Sequence, residues 1–208
     1  MSGIEIGRLL RSGTTGFVVG CRVNQLEAPS LGALVRVPLT EGYQVFGLIY
    51  DIHIDDDGLV RQLVMTENID TDFLRDNREN RTVPVEIGVL AVGYEQDGRI
   101  WHLLPPRPPL SLDTIYLCTD EEVVRFTGAG RFGYLRQIVR DRDKPVDELL
   151  AAHLRQARAA QEAAGNMAWF DAAVRELIAL QRDDYQGLMT VLAAVDALNV
   201  AQEPGRAA

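Results

Sequence analysis

The sequence predicts an α+β chain in which a small closed β-barrel is followed by an all-helical module, and three observations carry that prediction. Up to Cys118 the apolar residues alternate with polar ones at strand period, in short runs separated by Gly, Asp, Asn and Pro. So many short strands joined by tight turns suit a barrel, because closing the sheet removes its exposed edges. Beyond Cys118 the strand pattern stops, and apolar residues recur every three or four positions, which is the helical period.

The meander from Leu31 to Met65 organises the first part. Val35, Val37 and Leu39 alternate with Arg36 and Pro38, and Thr40-Glu41-Gly42 makes a turn. The strand that follows carries Phe46, Leu48, Tyr50, Ile52 and Ile54 on one face, since successive strand side chains point to opposite sides. Asp55-Asp56-Asp57-Gly58 has hairpin chemistry, and Leu59 to Met65 is expected to return as a partner strand. Upstream, Ile4, Ile6 and Leu9-Leu10 lead into the turn Ser12–Gly16, and Phe17 to Val23 reads as a strand. Asn24 to Ser30 is a loop. Residues 66–83 read as a surface excursion, with Asp70 capping a short helix and the polar run Asp76–Arg81 following it. From Pro84 to Tyr94, Val85, Ile87, Val89 and Ala91 lie on one side and Leu90, Val92 and Tyr94 on the other, implying burial on both faces. Gln96-Asp97-Gly98 turns that strand into Arg99–Leu104. Pro105-Pro106-Arg107-Pro108-Pro109 must be an extended strap, because proline fixes φ and restricts the residue before it. Leu112 to Cys118 is the last strand.

The helical module is expected over 119–200. Thr119 with Glu122 spells a capping box for a helix over Asp120–Thr127, and a second helix covers Arg131–Arg140. Pro145 suits the first turn of a longer helix whose stripe is Val146, Leu149, Leu150, His153, Leu154 and Ala157, with Gly165 as its stop. Two more stripes follow. One is Trp169, Phe170, Ala173, Val174, Leu177 and Ile178; the other is Tyr185, Leu188, Met189, Leu192 and Val195. The short connections predict antiparallel neighbours in a bundle. Residues 201–208 read as a disordered tail. The expected organisation is therefore a barrel over 1–118, a helical module over 119–200 and a tail.

At 208 residues and 47% hydrophobic content, the composition is that of a folded protein. A net charge of −9 opposes unaided binding to nucleic acid, whose backbone is held by Lys and Arg. No run approaches the roughly 20 apolar residues needed to span a bilayer, and the opening Met1–Glu5 lacks signal-peptide layout, so a cytoplasmic location is the expectation. Cys21 and Cys118 sit on apolar segments far apart, as a reduced, buried pair would, and no CxxC spacing supports a metal.

The residues assign no catalytic, metal or cofactor-binding site, and no cofactor is expected. Gly128-Ala129-Gly130-Arg131-Phe132-Gly133 spells GxGxxG, with Gly128, Gly130 and Gly133 as the candidate positions for a dinucleotide. That fingerprint needs a preceding strand and, after its helix, a second parallel strand. Here every following element is helical, so the stretch reads as a connector in which Phe132 packs. Without a GxxxxGK[ST] motif the chain is no P-loop ATPase. Asp55–Gly58 lacks the ligand spacing of a calcium loop. His53, His102 and His153 have no second ligand at metal spacing, and partly buried structural roles are expected for them. Ser12, Thr14 and Thr15 lie in no nucleophile elbow. An apolar helix face left over after intramolecular packing would be a docking site.

The run Ile6-Gly7-Arg8-Leu9-Leu10-Arg11-Ser12-Gly13-Thr14-Thr15-Gly16-Phe17-Val18-Val19 resembles the opening of a HAS-barrel. So does Leu31–Val37 followed by Val45–Ile52, with its G-x-L-V-x-V … V-x-G-x-I cadence. This is the N-terminal barrel of HerA-type DNA-translocating ATPases and of the catalytic subunits of rotary ATP synthases. The resemblance covers the first third of the chain, and extends to about residue 118 if the later strands complete the barrel. It implies a non-catalytic barrel that assembles rings and docks partners, such as the NurA nuclease of HerA. The chain departs from HerA in lacking the RecA-like ATPase domain, which removes motor activity and leaves docking. Gly7, Gly32 and Gly47 would then be structural. The expected function is a non-enzymatic protein-interaction or assembly module docking onto a HerA-type P-loop ATPase or a nuclease, without a membrane or direct nucleic-acid contact, with homo-oligomers allowed. The alternative is a small-molecule or nucleotide-binding enzyme with a site between barrel and helices, using His53, His102 or the glycine connector. A nucleic-acid adaptor is disfavoured by charge.

Overall fold

The computed structural model describes residues 3–24, 29–40, 42–54, 82–141 and 143–200, of which 22–24, 40, 82–84 and 197–200 are described in backbone only. The hairpin Asp55–Gly58, the return strand Leu59–Met65, the helix capped by Asp70, the polar run Asp76–Arg81 and the tail lie outside the described residues.

Seven strands are described: β1 (Glu5–Ser12), β2 (Gly16–Asn24), β3 (Leu34–Thr40), β4 (Tyr43–Ile54), β5 (Thr82–Gln96), β6 (Arg99–Trp101) and β7 (Thr114–Leu117). All pairings are antiparallel. The order β2-β1-β7-β3-β4-β5 closes on itself through β2 and β5, so six strands form a barrel, and β6 extends β5 as a hairpin outside the closure. The β5–β6 turn puts Asp97 at φ 52° and Gly98 at φ 78°, the doubly left-handed geometry that matches strand twist. Helices follow at α1 (Asp120–Gly128), α2 (Leu135–Arg140), α3 (Val146–Ala163), α4 (Trp169–Leu180) and α5 (Tyr185–Val200).

The expected single apolar face of β4 is broken. Register shifts in the β4–β5 ladder leave Tyr50 and Val92 as bulges, each an extra residue that reverses the in–out phase beyond it. Phe46 and Leu48 therefore face outward, Tyr50 joins them in part, and Ile52 turns back into the barrel. Ile54 is exposed. The same device sends Tyr94 inward, against its expected side. β5 is otherwise buried on both faces as expected, with Val85, Ile87 and Val89 inside and Leu90 and Val92 outside.

That outer surface is where the helices sit. Leu34, Phe46, Leu48, Leu90 and Val92 share one apolar cluster with Phe126, Leu135, Ile138, Leu149, Leu150, Leu154 and Trp169, while the barrel interior forms a second cluster around Leu9, Phe17, Val19, Val35, Val37 and Ile115. Burying each such large side chain contributes about 1.5–3 kcal/mol. Among the described residues the helices thus complete the barrel's outer layer.

Local signals end the helices as expected. Thr119 Oγ1 accepts from the Glu122 amide at 3.4 Å while Glu122 Oε2 accepts from the Thr119 amide at 3.0 Å. Pro145 precedes the first residue of α3. Gly165, at φ 86°, closes α3 with bonds from Gly165 N to Glu162 O at 2.9 Å and from Asn166 N to Gln161 O at 2.8 Å, the paired bonds of a Schellman stop. Three details differ from the sequence pattern. The second helix, expected from Arg131, begins at Leu135, because Gly130, Arg131 and Phe132 are left-handed and cannot continue a right-handed helix. Helix α3 packs chiefly on α5 and much less on α4, its neighbour in the chain. On α5 the buried stripe is Leu188, Val191 and Val195, so Tyr185 and Met189 face outward. On α4, Ile178 is exposed as well.

The proline strap joins β6, outside the closure, to β7 of the barrel. Pro105 and Pro109 are buried, and Tyr43 donates its hydroxyl to Arg107 O at 3.1 Å. Its far end is laced onto β1 by Leu112 N to Leu9 O at 2.8 Å and Leu9 N to Asp113 O at 3.0 Å.

Candidate functional site

The seam between barrel and helices gathers most of the residues that the sequence singled out. His102 follows β6 and is buried, its ring against Phe126 at 4.8 Å and Tyr134 at 5.0 Å between centroids. Its Nε2 lies 3.0 Å from Phe126 O. A carbonyl only accepts, so Nε2 carries the proton. Nδ1 then faces Gly130, whose backbone favours the charged ring but does not meet hydrogen-bond geometry. Burial dominates and lowers the pKa of His102.

The glycine connector wraps this imidazole. Gly130, Arg131 and Phe132 are consecutively left-handed, with φ of 56°, 49° and 58°. A Cβ on Gly130 would lie 2.7 Å from His102 Nδ1, and one on Gly133 would lie 3.2 Å from His102 Cβ. Phe132 packs on Trp169 at 5.7 Å. Two of the three GxGxxG glycines are thus committed to a histidine ring, while a Cβ on Gly128 would have ordinary room.

His153 on α3 is the second buried imidazole. Nδ1 donates to Gly32 O at 3.1 Å, which leaves Nε2 to accept from the Tyr134 hydroxyl at 3.3 Å. Burial lowers its pKa to about 4 and raises that of Tyr134. Gly32, at φ 78°, brings its backbone so close that a Cβ would sit 2.6 Å from His153 N. Beside this, Gln161 Nε2 donates to Thr127 Oγ1 at 2.8 Å and to Val124 O at 3.0 Å, and Trp169 Nε1 donates to Thr127 O at 3.2 Å, pinning α1, α3 and α4 together. His53 does not join them. It lies exposed near the end of β4, contrary to the partly buried role expected of it.

Two clefts border the seam. One, of about 260 Å³, lies between the β1–β2 turn and the α2–α3 connection and is lined by Arg11, Ser12, Thr15, Tyr50, Asp141 and Lys144, among others. Its cations are already engaged: Arg11 donates to Glu86 at 3.2 Å, and Lys144 lies 3.5 Å from Asp141 and 4.5 Å from the Tyr50 ring centre. The other, also about 260 Å³, is lined by Pro38, Gly42, Tyr43, Gln44, Glu95 and Arg125. There Arg125 grips Glu95 through two bonds of 2.6 and 2.7 Å, and Gln44 adds a third at 2.6 Å, so the arginine holds the carboxyl below its usual range. Cys21 and Cys118 are free thiols whose pKa values burial raises. Among the described residues no three His, Cys, Asp or Glu side chains are grouped to hold a metal, and the Asp55–Gly58 loop lies outside them.

The unsatisfied chemistry is on the surface. Among the described residues helix α5 is packed on one side, while the other mixes the exposed apolar residues Tyr185 and Met189 with Gln186, Thr190 and Asp196, the one charged residue in its sequence. Its outer side carries Tyr185, 73% exposed, and Met189, 46% exposed, and Ile178 of α4 is exposed nearby in sequence. A second apolar surface lies where the strap meets β1: Leu110 and Leu112 are each 69% exposed and Leu10 is 47% exposed. The sequence pattern did not mark it, because Leu9-Leu10 reads as part of an apolar lead into the turn and Leu112 as the start of the last strand. Comparison with known protein families and with curated proteins finds no match for the chain.

Proposed function

We propose that this chain is a non-catalytic protein-interaction or assembly module, a HAS-like barrel with a helical layer that docks onto a HerA-type P-loop ATPase or a nuclease. The observation that carries docking is the outer side of α5, where Tyr185 and Met189 repeat at four-residue spacing with no charge between them. Leaving such a face in water has no benefit to the fold, whereas covering it removes apolar area from solvent. The choice of partner rests on the barrel cadence at Leu31–Val37 and Val45–Ile52. Engagement of both nitrogens of His153, of His102 Nε2 and of the cleft cations with the chain's own groups favours this reading over catalysis.

The test is a point change, because the helices share a core with the barrel and their removal would strip it. A tagged chain recovered from its own cells should bring one stoichiometric partner, and Met189→Lys should lose that partner with an unchanged Tm. A partner retained by Met189→Lys and Tyr185→Lys alike would refute docking through this face. For the nucleotide-binding alternative, Gly128→Asp is the clean probe, since Gly130 is needed by His102. Stabilisation of the wild-type chain by ATP, NAD or GTP that Gly128→Asp abolishes would overturn the non-catalytic reading.

A further inference from the structure

We propose that what docks on the outer side of α5 is a basic amphipathic segment of the partner, with an apolar side for Tyr185 and Met189 and Lys or Arg flanking it; this deepens the docking reading above and rests on it. The outward stripe of α5 runs Tyr185, Met189, Leu192 and Asp196, spaced four, three and four residues apart and so on one helical face. Tyr185, Met189 and Asp196 are exposed, and Leu192 is partly buried. Asp184 stands at the near end of the stripe, its carboxylate accepting from the Gly187 amide at 2.9 Å. The exposed apolar pair therefore lies between two carboxylates.

Charge decides the occupant. Residues 183–200 hold three Asp and neither Lys nor Arg. The cation that precedes them, Arg182, is exposed and lies 3.5 Å from Asp183. The first turn of α3 adds Asp147 and Glu148 at this end. Burial, and then the charges of Glu148 and Asp184, raise the pKa of Asp147, so these carboxylates are close enough to repel one another. Among the described residues, Asp147, Glu148, Asp184 and Asp196 form no ion pair.

Helix formation accounts for only part of this acidity. Asp147, Glu148 and Asp184 stand at helix starts, where the macrodipole favours a carboxylate. Asp196 does not. It lies about one turn before the end of α5, where the macrodipole disfavours it, and no basic residue of the last turn answers it. A carboxylate that costs the helix, in line with two exposed apolar side chains, is explained by a cation that arrives with the partner. The net charge of −9 works in the same direction, drawing a basic segment toward the chain. A second copy of the chain would bring more of the same charge, and an anionic bilayer would be repelled.

The test uses the full chain and a labelled helical peptide of Leu, Ala and Lys with leucines at three- and four-residue spacing, read by fluorescence anisotropy beside a copy with Glu for Lys. The Lys peptide should bind and weaken with salt, and the Glu copy should not bind. Asp184→Asn combined with Asp196→Asn should weaken binding by about fivefold or more and flatten its salt dependence. Asparagine keeps the cap at position 184, so Tm should not fall. Tyr185→Ala should weaken binding with Tm unchanged, whereas Leu110→Ala on the strap should leave binding intact. Equal binding of both peptides, binding of neither, or indifference to the paired asparagines would overturn the proposal. So would phosphatidylserine vesicles bound in preference to the Lys peptide, or a dimer in light scattering that Met189→Lys dissolves. Should the partner recovered from cells be lost with Met189→Lys yet held at any salt by the paired asparagine variant, the basic segment is refuted and docking through α5 stands. A partner retained by Met189→Lys and Tyr185→Lys alike refutes docking through α5 itself.

Discussion

His153 shows how a single buried side chain sets the response of the fold to acid. The folded chain holds it neutral, with a pKa near 4, whereas the unfolded chain protonates it near 6.5. The unfolded state therefore binds the extra proton between those values. Stability is complete above about pH 6.5 and falls as pH drops toward 4, by up to about 3 kcal/mol from this group. His102, lowered for the same reason, adds to the same window, and the depressed Glu95 loses its contribution only at still lower pH. Urea unfolding at steps between pH 7 and 4.5 should show the decline, and His153→Gln should flatten it; a pH-independent midpoint would contradict neutral burial. Gly130 offers a second residue-scale test. Gly130→Ala places a methyl against His102 Nδ1 on a left-handed backbone and is expected to cost about 2 kcal/mol or more in thermal unfolding. Gly128→Ala, with ordinary room, should cost little.

Among the elements, β4 and β5 have the most consequence because they are coated on both sides. Phe46 is fully buried on the outer face, with its ring 4.8 Å from Phe126 of α1. Phe46→Ala should lower stability by about 3–5 kcal/mol. Helix α1 depends on its first turn, where the Thr119–Glu122 box satisfies two amides, and Thr119→Ala should cost about 1 kcal/mol by chemical denaturation. The strap and α5 behave oppositely. Changes at their exposed leucines and methionine should leave stability within about 0.5 kcal/mol or improve it, so binding measurements on those variants are free of folding artefacts.

For the whole molecule, the cluster shared by barrel and helices predicts one cooperative transition. Far-UV circular dichroism, which follows the helices, and the fluorescence of Trp101 on β6 and Trp169 on α4 should give coincident midpoints. Truncation after residue 118 would expose Leu34, Phe46, Leu48, Leu90 and Val92 together and should give an aggregating product rather than an isolated barrel. Separate transitions, or a soluble and folded truncation, would show that the two layers are independent.

Much of this was legible in the sequence, for a stated reason in each case. The Thr119–Glu122 box, the Gly165 stop and the Asp97-Gly98 turn are local chemistry, decided within a few residues, and each was found where the residues put it. Burial of β5 on both faces followed from apolar residues at odd and even positions alike. What failed was whatever depends on a neighbour. Alternation along β4 cannot show that Tyr50 bulges, because a bulge is a mismatch between two strands. A stripe on α5 cannot show which of its apolar residues are covered, because α3 makes that choice. The glycines of the connector announced a close approach without naming what approaches, and only the packing of the residue after β6 against Phe126 of α1 and Tyr134 ahead of α2 supplied His102. The sequence alone thus determined the element types and those ends that a capping box, a glycine stop or a tight turn marks, which are set by short-range backbone hydrogen bonding and steric limits; the start of the second helix, expected at Arg131 and found at Leu135, was not among them. Tertiary structure alone decided which apolar faces meet and which are left to water, because that depends on contacts between residues far apart in the chain.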